Sequence, residues 1–112
     1  DTVLLQPDNP ATVPSASLTF FENGQPRTVF LTEEFLLIGK HPDLASLCLS
    51  TPTVSRLHAR IRKDFSYFFI MDLNGTSING KPLSPQEEYQ LCDNDKIQIS
   101  EVELIFHNPQ IS

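Results

Sequence analysis

The sequence predicts an all-β domain, a sandwich of short and mostly antiparallel strands with no significant helix. Short apolar runs are separated by turn signals roughly every 8–12 residues, a spacing typical of β-sandwiches. The chain's 4 glycines and 9 prolines are all predicted to fall in turns or in the terminal segments. No stretch has the apolar periodicity of a long helix. At 112 residues, 39% of them hydrophobic, the chain fits one domain with a single core.

The sequence divides into an arm, a domain and a short tail. Residues 1–15 hold three prolines among small polar residues, which predicts an extended linker or arm. Residues 16–108 carry the strand pattern and form the predicted domain, and residues 109–112 form the tail.

The first strands are predicted at residues 17–21, 27–31 and 35–38. An Asn-Gly pair, Asn23-Gly24, separates the first two and is a strong hairpin signal. The third run is apolar throughout, which predicts burial on both faces.

The middle strands are predicted at residues 47–49, 59–63 and 67–71. The second of these alternates apolar and basic residues, so Arg60, Arg62 and Lys63 are interpreted as part of a solvated face. The third is rich in aromatic residues and predicts a buried strand.

The last strands are predicted at residues 89–91, 96–100 and 102–107. The final run places alternate apolar residues on one face, as a half-buried strand requires.

Charge excludes nucleic acid as the main partner, because the formal net charge is −6. Basic residues are nevertheless concentrated between residues 40 and 63, where a single acid, Asp43, stands among them. An acidic protein with such a segment can bind an anion there. The basic residues of this segment are Lys40, Arg56, Arg60, Arg62 and Lys63.

No membrane span, metal or cofactor is predicted. The sequence has neither an apolar run of about eighteen residues nor a recognisable signal peptide. Cys48 and Cys92 lack metal-ligand spacing and are predicted to be reduced core or near-core residues, which suits a cytoplasmic location.

Three polar loops carry the donor types that a phosphate dianion needs: a cation, a hydroxyl and backbone close to glycine. The candidate binding residues are Lys40, Ser55, Arg56 and Asn74. Each loop is a weak signal alone, but their order and spacing are specific.

The three loops together resemble the forkhead-associated (FHA) domain, over residues 17–107. That family carries Gly-Arg, then Ser-x-x-His, then Asn-Gly-Thr-x-x-Asn-Gly. The matching segments here are Gly39-Lys40, residues 55–58 and residues 74–80. The resemblance implies an FHA-like sandwich of about eleven strands that binds phosphothreonine peptides, with an upstream Ser/Thr kinase that writes the mark.

The resemblance also implies individual roles. Ser55 and Arg56 would contact the phosphate, and Asn74 would hydrogen-bond the peptide backbone. His58 would tie the loops together. The implied structural loop positions are Gly39, His58, Gly75, Thr76, Asn79 and Gly80.

Two departures from the family predict a weakened or altered phosphate site. Lys40 replaces the family's arginine and supplies a point charge in place of a planar fork. The third loop is short, so Leu73 stands where a donor usually precedes the asparagine.

Two other functions fit the sequence less well. The same fold could serve as a phosphate-independent interaction or scaffold module, which both departures favour. A serine hydrolase using Ser55 and His58 is a remote alternative, because the chain has no Gly-x-Ser-x-Gly elbow and no acid placed to orient the histidine. The protein is therefore not expected to be an enzyme.

Overall fold

The computed structural model describes residues 15–109, so the predicted arm lies outside the described residues except for Ser15, and the predicted tail except for Pro109. The described chain contains eleven strands. They are β1 (Ser17–Glu22), β2 (Gln25–Phe30), β3 (Phe35–Gly39), β4 (Leu47–Cys48), β5 (Ala59–Asp64), β6 (Tyr67–Asp72), β7 (Thr76–Ile78), β8 (Lys81–Pro82), β9 (Glu88–Gln90), β10 (Lys96–Ile99) and β11 (Val102–His107).

The strands form two sheets, which confirms the predicted all-β sandwich. The six-stranded sheet has the order β2-β1-β11-β10-β7-β8, and the five-stranded sheet the order β4-β3-β5-β6-β9. Among the paired strands only β3 and β4 run parallel. Residues 15–109 contain no helix, and therefore none that could cross a membrane.

Two Asn-Gly pairs form tight hairpin turns. Asn23 and Gly24 have φ angles of 54° and 76°, and Glu22 pairs with Gln25 across the turn. Positive φ at both central residues is the geometry that matches the strand twist. Asn79 and Gly80 repeat it, at 52° and 84°, between β7 and β8. Sequence analysis predicted neither β7 nor β8, because strands of three and two residues are too short to show alternation.

The core lies between the two sheets. Phe68 of β6 and Phe106 of β11 come from opposite sheets and meet edge to face, with ring centroids 5.5 Å apart. Such pairs contribute about 0.5–1.5 kcal/mol beyond their burial. Fully buried aliphatic residues surround them, among them Leu18, Ile38, Leu47, Leu49, Ile61, Ile70, Leu91, Ile97, Ile99 and Leu104.

Three burial predictions were wrong, and the two-residue period of a strand explains those for β3 and Cys48. Strand β3 is buried on one face only, since Phe35 at its start is 43% exposed. Leu47 and Leu49 point inward, which turns Cys48 outward between them. Cys92 is exposed as well, and both thiols are free.

Arg60, Arg62 and Lys63 lie outside the core, as predicted, since Ala59 and Ile61 are the buried residues of β5, and all three are half-buried. Arg62 donates two hydrogen bonds to the Glu88 carboxylate, at 2.8 and 2.9 Å. These bonds hold the pKa of Glu88 below its usual range. The Arg62 guanidinium also lies 4.7 Å from the centroid of the Phe69 ring.

Strand pairing brings the three polar loops to one end of the five-stranded sheet. Ile38 near the end of β3 pairs with Ala59 at the start of β5, and Ala59 pairs with Asp72 at the end of β6. The loops that follow β3, precede β5 and follow β6 are therefore neighbours.

Candidate functional site

The first and second loops are joined through their backbones. The Lys40 amide donates to the carbonyl oxygens of Ser55 and Arg56, at 2.9 and 3.1 Å, and the His41 amide donates to Arg56 at 3.1 Å. Gly39 makes the approach possible, because a Cβ atom there would lie 2.0 Å from the Arg56 carbonyl oxygen. The side chains of Lys40 and Arg56 thus leave adjoining backbone, and both residues are exposed.

His58 connects the second and third loops through its ring and is 3% exposed. The Ser55 amide donates to Nδ1 at 3.1 Å, so Nδ1 is an acceptor and the proton of the neutral ring is on Nε2. That Nε2–H donates to the Gly75 carbonyl at 3.1 Å. One side chain therefore fixes the distance between two loops that are far apart in sequence.

The His58 carbonyl holds the third loop as well. It accepts the amides of Leu73 and Asn74, at 3.0 and 3.2 Å. The Thr76 hydroxyl donates to the same oxygen at 3.4 Å. Thr76 is buried, so it lies behind the loop and not in its exposed surface.

Asp72 shapes the third loop and was missed by sequence analysis. It is 3% exposed, and its Oδ1 accepts the amides of Asn74 and Thr76, at 3.2 and 2.7 Å. An Asp two residues before an Asn-Gly pair is a signal for such a side-chain turn. Leu73 is 38% exposed and occupies the position at which sequence analysis found a hydrogen-bond donor to be missing.

His41 shapes the first loop and was also missed. Its Nδ1 accepts the amides of Asp43 and Leu44, both at 3.2 Å, and its carbonyl accepts the Ala45 amide. The turn that follows Lys40 is therefore closed by hydrogen bonds to His41.

Two of the predicted binding residues contact each other directly, since the Asn74 side-chain amide donates to the Ser55 hydroxyl. Asn74 is exposed and Ser55 half-buried. Two other predicted loop positions lie elsewhere. Asn79 and Gly80 form the turn at the opposite end of β7, where the Asn79 side-chain amide donates to the Asp95 carboxylate at 2.9 Å.

The charge of this loop surface is uncompensated. Within residues 15–109, none of the salt bridges involves Lys40 or Arg56. Two exposed cations, a hydroxyl and a side-chain amide are thus carried by loops that are hydrogen-bonded to one another. This is a set of donors suited to an anion, and charge-assisted bonds from such groups are the strong ones.

The geometry gives no catalytic pairing of Ser55 with His58. Both ring nitrogens of His58 are engaged by backbone groups, and the Ser55 hydroxyl contacts Asn74. A nucleophilic serine needs a base within hydrogen-bond reach of its hydroxyl, and His58 does not fill that role here.

Comparison with known proteins agrees with this geometry. The family model of the FHA domain matches residues 36–100. The oxoglutarate dehydrogenase inhibitor of Corynebacterium jeikeium is 36% identical over 81 residues, which are 70% of this chain and 54% of that protein. The chain thus spans about half of the length of this relative.

Solved structures give the same result. A domain studied for phosphothreonine-dependent FHA domain interactions is 35% identical with a TM-score of 0.74, and the match covers 84% of this chain and 96% of that one. The MEK1 FHA domain in complex with a HOP1 phosphothreonine peptide is 26% identical with a TM-score of 0.69, covering 88% and 100%. The resemblance found in the sequence is confirmed.

Proposed function

This chain belongs to the FHA domain family, and from that premise we propose that it is a protein-interaction module that binds phosphothreonine peptides. One observation carries the proposal. The fold places Lys40 and Arg56 on adjoining backbone beside the Ser55 hydroxyl and the Asn74 amide, with no carboxylate paired to either cation among the described residues.

Each residue has a distinct role in this proposal. The Ser55 hydroxyl and the Arg56 guanidinium donate to the phosphate, and Lys40 adds positive charge beside them. Asn74 leaves the Ser55 hydroxyl when a peptide binds and donates instead to the peptide backbone. The exposure of Lys40, Arg56 and Asn74 supports these roles, because a ligand can reach all three without the core opening.

The phosphate site is proposed to be weaker than one with an arginine and a full third loop. Lys40 offers no planar fork, and Leu73 offers no side-chain donor. One missing charge-assisted hydrogen bond corresponds to about 1.5–3 kcal/mol, or roughly a tenfold to hundredfold loss of affinity.

A second candidate is a phosphate-independent interaction module on the same fold. The exposed apolar side chain of Leu73 beside Asn74 favours it, because such a contact suits an unmodified peptide. The two functions differ in a single measurable quantity, the ratio of affinities for phosphorylated and unphosphorylated threonine.

The proposed partner is a protein or peptide carrying phosphothreonine, which implies an upstream Ser/Thr kinase. Nucleic acid is not a proposed partner, since the net charge is −6. The two free, exposed cysteines fit a reducing compartment, so we propose the cytoplasm as the place of action.

The test is a degenerate phosphothreonine peptide library beside its unphosphorylated twin. Selection of a consensus from the phosphorylated pool only, followed by titration calorimetry of the best binder, is the expected result. Equal retention of both pools would establish the phosphate-independent function in its place.

A further inference from the structure

The second loop, which carries Ser55 and Arg56, begins at a carboxylate of the opposite sheet. Glu22 lies at the end of β1, and its Oε2 accepts both the backbone amide of Ser50, at 2.6 Å, and the Ser50 hydroxyl, at 3.0 Å. The Glu22 side chain is only 9% exposed. Its other oxygen accepts a bond from Arg27 at 2.6 Å.

Ser50 precedes the turn that leads into the site. The Val54 amide donates to the Thr51 carbonyl at 3.1 Å, which closes that turn, and Ser55 follows directly. Thr53, within the turn, shares a hydrogen bond with Ser100. The start of the loop is therefore held by Glu22, its middle by Ser100 and its end by the His58 ring.

We propose that Glu22 is a positioning residue for phosphate binding, which orders the loop carrying Ser55 and Arg56 by holding its first residue, Ser50. The inference rests on the proposed function, because it assigns a remote determinant of affinity to that same site. Glu22 touches none of the predicted binding side chains in the described contacts, so it acts through the backbone of the loop.

The carboxylate form of Glu22 has acceptors for both Ser50 donors and for Arg27. The Ser50 amide is the largest cause that lowers the pKa of Glu22, and the Arg27 and Ser50 side chains lower it further. Glu22 is therefore ionised at neutral pH and accepts from both Ser50 donors.

The direction of the change in peptide affinity when Glu22 is removed distinguishes positioning of the loop from the electrostatic effect of the carboxylate charge. A carboxylate behind a loop that binds a dianion is repulsive, so its removal by charge alone would tighten phosphate binding. Loss of the anchor would instead leave the Ser50 amide without its acceptor and loosen the loop, which weakens binding. The two mechanisms predict opposite changes.

The experiment compares Glu22→Ala with Glu22→Gln, which keeps one acceptor oxygen for Ser50. Glu103→Ala is the matched charge control, since Glu103 is an exposed residue of β11. Arg27→Ala removes the other partner of Glu22 and leaves Ser50 in place. Each variant is titrated with the best binder from the phosphothreonine library, and amide hydrogen exchange is measured for residues 50–56.

We expect Glu22→Ala to weaken peptide binding by about three- to tenfold and to accelerate exchange in residues 50–56. The peptide affinity of Glu22→Gln should lie between those of Glu22→Ala and the parent. Glu103→Ala and Arg27→Ala should bind the peptide as tightly as the parent. Faster exchange confined to residues 50–56, with the rest of the chain exchanging as in the parent, separates an anchored loop from a general loss of stability.

The inference is overturned if Glu22→Ala binds as tightly as the parent or more tightly. It is also overturned if affinity falls while exchange in residues 50–56 is unchanged, because Glu22 would then act by another route. Failure of the parent itself to bind any phosphopeptide would refute the proposed function, and the exchange comparison would still decide whether Glu22 orders the loop.

Discussion

Gly39 and Arg56 are in backbone-to-backbone contact, so close that a methyl group on Gly39 would lie 2.0 Å from the Arg56 carbonyl oxygen and 2.7 Å from its carbonyl carbon. The same carbonyl accepts the amides of Lys40 and His41, both at 3.1 Å. The first loop can therefore bring its cation to the second loop only because residue 39 has no side chain.

Gly39→Ala should disrupt both the fold and the site, because rigid backbone cannot move away from the added methyl group. We expect a loss of about 3 kcal/mol or more in the free energy of unfolding, measured by urea denaturation. Gly24→Ala is the control. Its φ of 76° gives strain but its surroundings are open, so about 1–2 kcal/mol is expected. Equal losses at the two positions would contradict the steric explanation.

His58→Ala should lower the free energy of unfolding of the domain even when no ligand is present. The Ser55 amide and the Gly75 carbonyl would each lose a partner in a partly buried site, which predicts a loss of about 2–4 kcal/mol by urea denaturation. His107→Ala, at a half-buried position on β11, should cost less than about 1 kcal/mol. A variant that unfolds at the same urea concentration as the parent would refute the structural role of His58.

Arg56→Ala should abolish most phosphopeptide affinity and leave the fold intact. Arg56 is exposed and forms no salt bridge within residues 15–109, so its removal should change stability by less than about 0.5 kcal/mol. Loss of its charge-assisted bond should weaken binding by about tenfold or more in calorimetry. Lys81→Ala, on the exposed strand β8, removes the same charge and should bind like the parent.

Lys40→Arg should tighten phosphopeptide binding, because a guanidinium supplies two parallel donors where an ammonium supplies a point charge. The expected gain is about three- to tenfold in affinity, with no gain for the unphosphorylated peptide. Titration of both peptides against both proteins measures it. An equal gain for the two peptides would show that residue 40 does not contact the phosphate.

Stability should fall in acid through Glu88. Its pKa in the folded state is lowered from the ordinary value of 4.5, chiefly by hydrogen bonds from Arg62. The unfolded chain therefore binds the proton first as pH falls. The stabilisation is complete above the unfolded pKa and is lost as pH falls through the lowered folded value.

Urea denaturation between pH 7 and pH 3 checks this expectation. Glu88→Gln should show a shallower decline than the parent, whereas Glu103→Gln should follow the parent. Glu103 is exposed and forms no salt bridge among the described residues. Parallel curves for the parent and Glu88→Gln would rule out the ion pair as the cause.

Local sequence patterns were sufficient for most of the fold. The Asn23-Gly24 turn and the alternating run of β11 have local causes, and both are present as predicted. Strands β7 and β8 had no such signal, because they are only three and two residues long and form by pairing with neighbouring strands. The outward direction of Cys48 depended on Leu47 and Leu49 already facing the core.

The site was predictable only in part. Lys40, Ser55, Arg56 and Asn74 were proposed as binding residues from residue type and order, and folding brings their loops to one end of the sandwich. Asp72 had a weak local signal in its distance from Asn74. The bond between Glu22 and Ser50 had none, since the two are 28 residues apart and approach from different sheets.

By itself, the sequence determined where most of the strands and turns form and which residue types the loops carry, because propensity, alternation and turn chemistry act over a few neighbouring residues. Tertiary structure alone decided which loops meet, which side chain closes the gap between them, and which distant carboxylate holds the second loop. Those contacts depend on strand register and on packing between two sheets, and a register is set by the whole buried face and not by any single segment.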